Sequence, residues 1–86
     1  MKLFFTGEFK KNYKKLPTSL RKQTEKQLGL LITDFRHPSL RSRKMVGYKD
    51  VFEARVSRGY RMRYVIDGKK TIMLTIGPHD VGLGKK

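Results

Sequence analysis

The stretch that most constrains the fold runs from Val51 to Ile66 and reads VFEARVSRGYRMRYVI. Apolar and polar residues alternate on both sides of Ser57-Arg58-Gly59, the period of two that a half-buried strand imposes. Two such runs separated by a short glycine-containing segment predict an antiparallel hairpin. Directly opposed residues share a face, so a slip of one residue would exchange the two faces. A three-residue loop, Ser57-Arg58-Gly59, sets Phe52, Ala54 and Val56 opposite Tyr64, Met62 and Tyr60. It also puts Gly59 at the loop position that needs a left-handed backbone. The same parity makes the next loop Asp67-Gly68-Lys69 and brings Ile72, Leu74 and Ile76 onto the apolar face.

That register gives the opposite face a cationic character. Arg55 is expected opposite Arg61, Glu53 opposite Arg63 and Thr75 opposite Arg61, with Lys44 joining from the preceding strand. Like charges facing each other across a sheet destabilise it. As plain structure, this is an exposed sheet face with one Glu53–Arg63 pair worth about a few tenths of a kcal/mol. As a functional arrangement, it is an anion site whose ligand would relieve the Arg–Arg repulsion.

The whole chain leans the same way. Lys and Arg number 21 against 7 Asp and Glu, a net charge of +14. Such a charge repels itself in the compact state, and nucleic acid, an acidic protein or an anionic membrane would relieve it. With 86 residues, 1–86 is one domain with a thin core. The absence of cysteine excludes disulfides and thiolate metal sites. The opening MKLFFTGEFKK has an apolar run too short for a signal-peptide core or a membrane span, so the expected location is cytoplasmic, with no membrane partner. No P-loop, dinucleotide fingerprint, metal-ligand cluster or nucleophile elbow occurs, so neither cofactor nor metal is expected.

Ahead of the hairpins the periodicity is helical. Leu3 to Phe5 reads as a short strand, and Thr6 as the N-cap of a helix with Glu8 in its first turn and Phe9, Tyr13 and Leu16 on one face. Pro17 ends it. Thr18 or Ser19 should cap a longer helix with Leu20, Leu28, Leu31, Ile32 and Phe35 on its apolar face, and His37 as a C-terminal capping residue before Pro38. Lys10, Lys11, Lys14, Lys15, Arg21, Lys22 and Lys26 read as a solvated outer side. Strands are predicted over 43–46, 51–56, 60–66 and 71–76, with Tyr48 as a packing residue in a loop and 82–86 as a basic tail. The order β-α-α-β-β-β predicts an α+β fold, its two N-terminal helices on one face of a largely antiparallel sheet.

With these elements placed, the chain resembles the RelE/ParE superfamily of type II toxin–antitoxin toxins. The resemblance covers nearly the whole chain and is carried by HPSLRSRKMVGYKDVFEARVSRGYRMRYVI followed by IMLTIGPHD. It implies a cognate antitoxin that covers the toxin with an acidic or amphipathic segment. In the RelE branch it also implies ribosome-dependent endonucleolytic cleavage of mRNA, with ribosome and mRNA as partners. By position, Arg61 in GYRMRY corresponds to the arginine that binds the scissile phosphate, and His79 to a catalytic position. Lys44, Glu53 and Arg55 lie on strands that supply further active-site residues. Where some active members carry a terminal tyrosine, this chain has Asp80 followed by VGLGKK.

The implied chemistry is transesterification, in which the ribose 2′-OH attacks the adjacent phosphorus and expels the 5′-oxygen. The nucleophile is internal to the RNA, so no metal is called for. Arg61, with Arg55 or Arg63, would stabilise the added phosphoryl charge. His79 would be the general acid or base, its ordinary pKa suiting proton transfer near neutrality. Glu53 is a second candidate base, weakened by the arginines around it. Two other functions remain open at this level: a ParE-like inhibitor of DNA gyrase with the same fold, and a basic RNA-binding module without catalysis.

Overall fold

Thr6 turns the first strand into the first helix. In the computed structural model, which describes residues 2–78, strand β1 (Lys2–Phe5) leads into helix α1 (Gly7–Lys14). The Thr6 hydroxyl accepts from the Phe9 N–H at 3.0 Å and donates to the Leu74 carbonyl at 2.8 Å. One side chain thus caps the helix and ties it to the sheet, while Glu8 complements the helix dipole in the first turn.

Helix α2 (Thr18–Thr33) departs from its expected caps. Pro17 occupies the N-cap position and no side chain caps it, so the capping roles expected of Thr18 and Ser19 are not taken up. At the other end the Asp34 N–H donates to the Leu30 carbonyl. His37 belongs to the next element, where its Nδ1 accepts from the Ser39 N–H at 3.1 Å and caps the start of a short 3-10 turn, Pro38–Leu40. It is therefore an N-cap rather than the expected C-cap.

The buried stripe of α2 is also displaced from its most apolar stripe. Leu31 is buried, but Thr24 and Gln27 share the buried side with it, while Ile32 is 48% exposed and Phe35, beyond the helix, 42% exposed. Burying polar groups is tolerable only when they are hydrogen-bonded. Thr24 donates to the Leu20 carbonyl at 2.7 Å. The Gln27 amide donates to the Ser39 carbonyl at 3.2 Å and to the Arg55 carbonyl at 2.9 Å, joining α2, the 3-10 turn and the sheet.

The sheet contains β1, β2 (Arg43–Lys44), β3 (Val51–Ser57), β4 (Tyr60–Asp67) and β5 (Lys70–Pro78), in the order β1-β5-β4-β3-β2. β1 runs parallel to β5 and the other neighbours are antiparallel. The α+β architecture matches the expectation, with β2 cut to a two-residue edge. Its continuation holds Tyr48, which is 46% exposed instead of packed. The core between helices and sheet includes Phe9, Leu16, Leu31, Leu40, Ala54, Val56, Met62, Tyr64, Met73 and Ile76.

Both hairpin loops are one residue shorter than expected, and two irregularities repair the parity. β3 and β4 meet at Ser57↔Tyr60 around Arg58-Gly59, with Gly59 at φ +87°. A shift between Arg55 and Ser57 absorbs Val56, so Ala54↔Met62 and Phe52↔Tyr64 keep the expected pairing. β4 and β5 meet at Asp67↔Lys70 around Gly68-Lys69, with Gly68 at φ +63°. That turn brings Thr71 and Met73 inside, in place of Ile72 and Leu74. A second shift, opposite Arg63 and Tyr64, leaves Leu74 without a partner and returns Ile76 to the core opposite Met62. The extra residue of a bulge resets which face follows.

Candidate functional site

The outer face of the sheet is arranged in cross-strand rows. One row is apolar: Phe4 pairs with Ile72, Ile72 with Val65, and Val65 with Val51. The next holds Thr75, Arg63, Glu53 and Arg43, and beyond it lie Gly77, Arg61 and Arg55. The expected pairs Arg55–Arg61 and Glu53–Arg63 are present. Thr75 is not opposite Arg61; the Leu74 bulge moves it beside Arg63 and brings Gly77 to Arg61. Chain neighbours aside, a Cβ at Gly77 would meet no atom of the described residues within 4 Å, so among them this flank of Arg61 is open.

Arg61 is held by its own hairpin. Its Nη1 donates to the Ser57 and Tyr60 carbonyls, both at 3.0 Å. These bonds fix the guanidinium beside the β3–β4 turn and leave its other N–H donors without a protein acceptor among the described residues. Burial lowers its pKa below the usual arginine value, and the positive charges of Arg55, Arg41 and Arg43 push the same way against Glu53. A cation destabilised by its neighbours gains more from a bound anion than an isolated one would. The group stays protonated, preorganised and short of negative charge.

Glu53 sits at the centre of the middle row. Its side chain is 4% exposed, with one oxygen 3.5 Å from Arg43 Nη2 and the other 3.8 Å from Arg63 Nε. A carboxylate between two guanidinium groups is placed to orient both of them. Arg43, 70% exposed, was missing from the expected site. The signal was there to read, since extending the hairpin register by one strand puts Arg43 opposite Glu53 and Lys44 opposite Phe52.

Lys44 accordingly leaves the arginine face. Residues paired with Phe52 lie on the helix side of the sheet, and Lys44 instead lies 3.7 Å from Asp50 in an exposed pair. The structure therefore brings together Glu53, Arg55, Arg61 and Arg63, adds Arg43, and excludes Lys44. β5 is described as far as Pro78, which pairs with Tyr60 next to Arg61, and His79 lies outside the described residues. Among the described residues no helix is long and apolar enough to cross a membrane.

A two-helix layer over one face of a five-stranded mixed sheet is the α+β fold of RelE-like toxin structures. The family model for the ParE toxin of type II toxin–antitoxin systems, parDE, matches residues 3–81. The chain belongs to this family, within the RelE/ParE superfamily.

Solved structures share the fold across nearly their full length. The RelE–RelB complex of E. coli matches with 24% identity, covering 90% of this chain and 94% of that chain at a TM-score of 0.72. The DinJ–YafQ complex of E. coli matches at a TM-score of 0.79 with 17% identity, covering 95% and 96%. The RelE–RelB complex of Pyrococcus horikoshii matches at 0.75 with 18% identity, covering 93% and 96%. Among curated proteins, no sequence match is found.

Proposed function

We propose that this toxin-family chain is a ribosome-dependent mRNA endoribonuclease that inhibits translation and is neutralised by a cognate antitoxin. The observation that carries the reading is Arg61, anchored on two backbone carbonyls, facing Arg55, and open on its Gly77 flank. A phosphate seated there answers the charge imbalance of the outer face. Arg61, with Arg55, stabilises charge as it grows on the phosphoryl oxygens, and the fixed guanidinium needs no reorganisation to do so. Glu53 holds Arg63 and Arg43 in place, and His79 transfers the proton. The similar structures of RelE and YafQ were solved as complexes with RelB and DinJ, which supports an antitoxin here. An acidic segment suits a partner of net charge +14.

The test is cleavage of a defined mRNA on programmed ribosomes by the purified protein. Discrete cuts on ribosome-bound message, lost in Arg61→Gln, support the reading. The family model, which is that of ParE, favours a second reading, inhibition of DNA gyrase by protein contact. Pulse-labelling after induction separates the two. An early fall in DNA synthesis with translation intact would replace the first reading with the second.

A further inference from the structure

A second cationic feature lies off the sheet face. Because β2 is only two residues long, the end of β3 has no strand beside it on the side away from β4. A cleft of about 490 Å³ opens there between α2, the 3-10 turn and the β3–β4 turn. Lys26, Arg41, Arg55 and Arg58 line it together with Gln27 and Ser57, and among the described residues no carboxylate does. Its volume suits a nucleotide-sized group more than a single ion.

The cleft is a built feature. Its floor is fixed by buried Gln27, whose amide bonds the Ser39 and Arg55 carbonyls from opposite walls. Arg41 enters from the end of the 3-10 turn in a left-handed conformation, φ 45°, with its N–H donating to the Pro38 carbonyl at 3.1 Å. Arg55 belongs both to this cleft and to the pair with Arg61. Arg41 is close enough to help depress the Arg61 pKa. Positive charge therefore continues from Arg61 through Arg55 and Arg41, around the open end of β3, to Lys26 and Arg58.

We infer that this cleft is a second phosphate-binding track, in which Lys26, Arg41 and Arg58 hold RNA backbone adjoining the linkage bound at Arg61. The inference rests on the endoribonuclease reading and adds binding residues outside the catalytic face. Phosphate contacts of this kind position a strand without reading its bases. Each also adds to the salt dependence of binding, with a slope of about 0.7 per contact for a single strand.

The experiment is single-turnover cleavage on programmed ribosomes as a function of toxin concentration and salt. Lys26→Ala/Arg58→Ala and Arg41→Asn are compared with Lys10→Ala/Lys14→Ala, which removes charge from exposed positions on α1. The cleft variants should raise the half-saturating concentration about tenfold and flatten the salt dependence by about 0.7 per lost contact, leaving the saturating rate within about twofold. The α1 control should change little. Messages carrying a single neutral methylphosphonate near the cut identify the strand. Loss of the variants' effect on one such message supports the track, and persistence on all of them would overturn it in favour of a contact with ribosomal RNA. Equal shifts in cleft and control variants would reduce the track to net charge and overturn it, as would no shift at all. A shift confined to affinity for an acidic partner protein would overturn it in favour of a protein dock. If the parent protein does not cleave, the endoribonuclease reading falls as well; if it cleaves and the variants match it, only the track falls.

Discussion

On the helix side of β3 and β4, Ala54, Val56, Met62 and Tyr64 are buried, and the Phe52 and Tyr64 rings stack with centroids 5.6 Å apart. One residue along, the same strands carry Glu53, Arg55, Arg61 and Arg63. The first face gains from contact with the rest of the protein. The second is left with more positive charge than the protein neutralises. A pleated strand lets one backbone serve both, because substitutions on one side need not disturb packing on the other. Stability and activity should therefore separate by residue parity.

The largest effect expected is on the packed side. Tyr64→Ala should cost about 3–5 kcal/mol, a large share of the roughly 5–15 kcal/mol that holds a typical domain folded. Chemical denaturation measures it, and a loss below about 1 kcal/mol would mean the inner face is not the stabilising one. Next comes Arg61→Gln on the outer face. Cleavage should fall about 10²–10³-fold while stability changes by less than about 1 kcal/mol. A variant that melts far below the parent yet cleaves normally would make Arg61 structural and break the comparison.

Glu53→Gln sharpens the comparison, since Glu53 lies on the outer face yet is buried. As the centre of an ion-pair row it should cost about 1–3 kcal/mol of stability, with cleavage reduced less than in Arg61→Gln. A larger loss of cleavage at unchanged stability would make it the general base. The smallest effect is a matter of pH. Burial raises the Tyr64 pKa above its ordinary value of 10.0, with the Ser42 hydroxyl acting the other way. The folded protein thus keeps the proton when the unfolded chain has begun to release it. Its contribution is fully present below about pH 10 and is lost as pH rises through the folded value. Alkaline melts of Tyr64→Phe should fall less steeply than those of the parent, and parallel curves would refute the assignment.

The alternation of the third and fourth strands was legible because apolar and polar residues alternate from Phe52 to Val56 and from Tyr60 to Tyr64, which leaves one register consistent with one core. The fifth strand was harder. Thr71, Ile72, Met73 and Leu74 include three apolar residues in a row, so parity had to come from the turn, and the turn and bulge each moved it by one. Thr24 and Gln27 escaped notice for a different reason. Their burial depends on carbonyls elsewhere in the fold, and a helical stripe read from hydrophobicity alone passes over them. Lys44 was misplaced because β2 is too short to show a period, although Arg43 could have been found by carrying the register outward from Glu53.

The Leu74 bulge also bears on the order in which the protein becomes active during its own synthesis. Its carbonyl is taken by Thr6, 68 positions earlier, and the N–H of Ile76 donates to the Asn12 side chain, 64 positions earlier. Thr6 and Asn12 emerge from the ribosome first, and the strand they fix emerges among the last. Gly77 reaches the flank of Arg61 only after that strand has joined the sheet. A nascent chain with its first four strands made still lacks the strand that flanks Arg61. If the chain cleaves mRNA as proposed, the translation machinery meets the arginine face flanked by β5 only once that strand has been made.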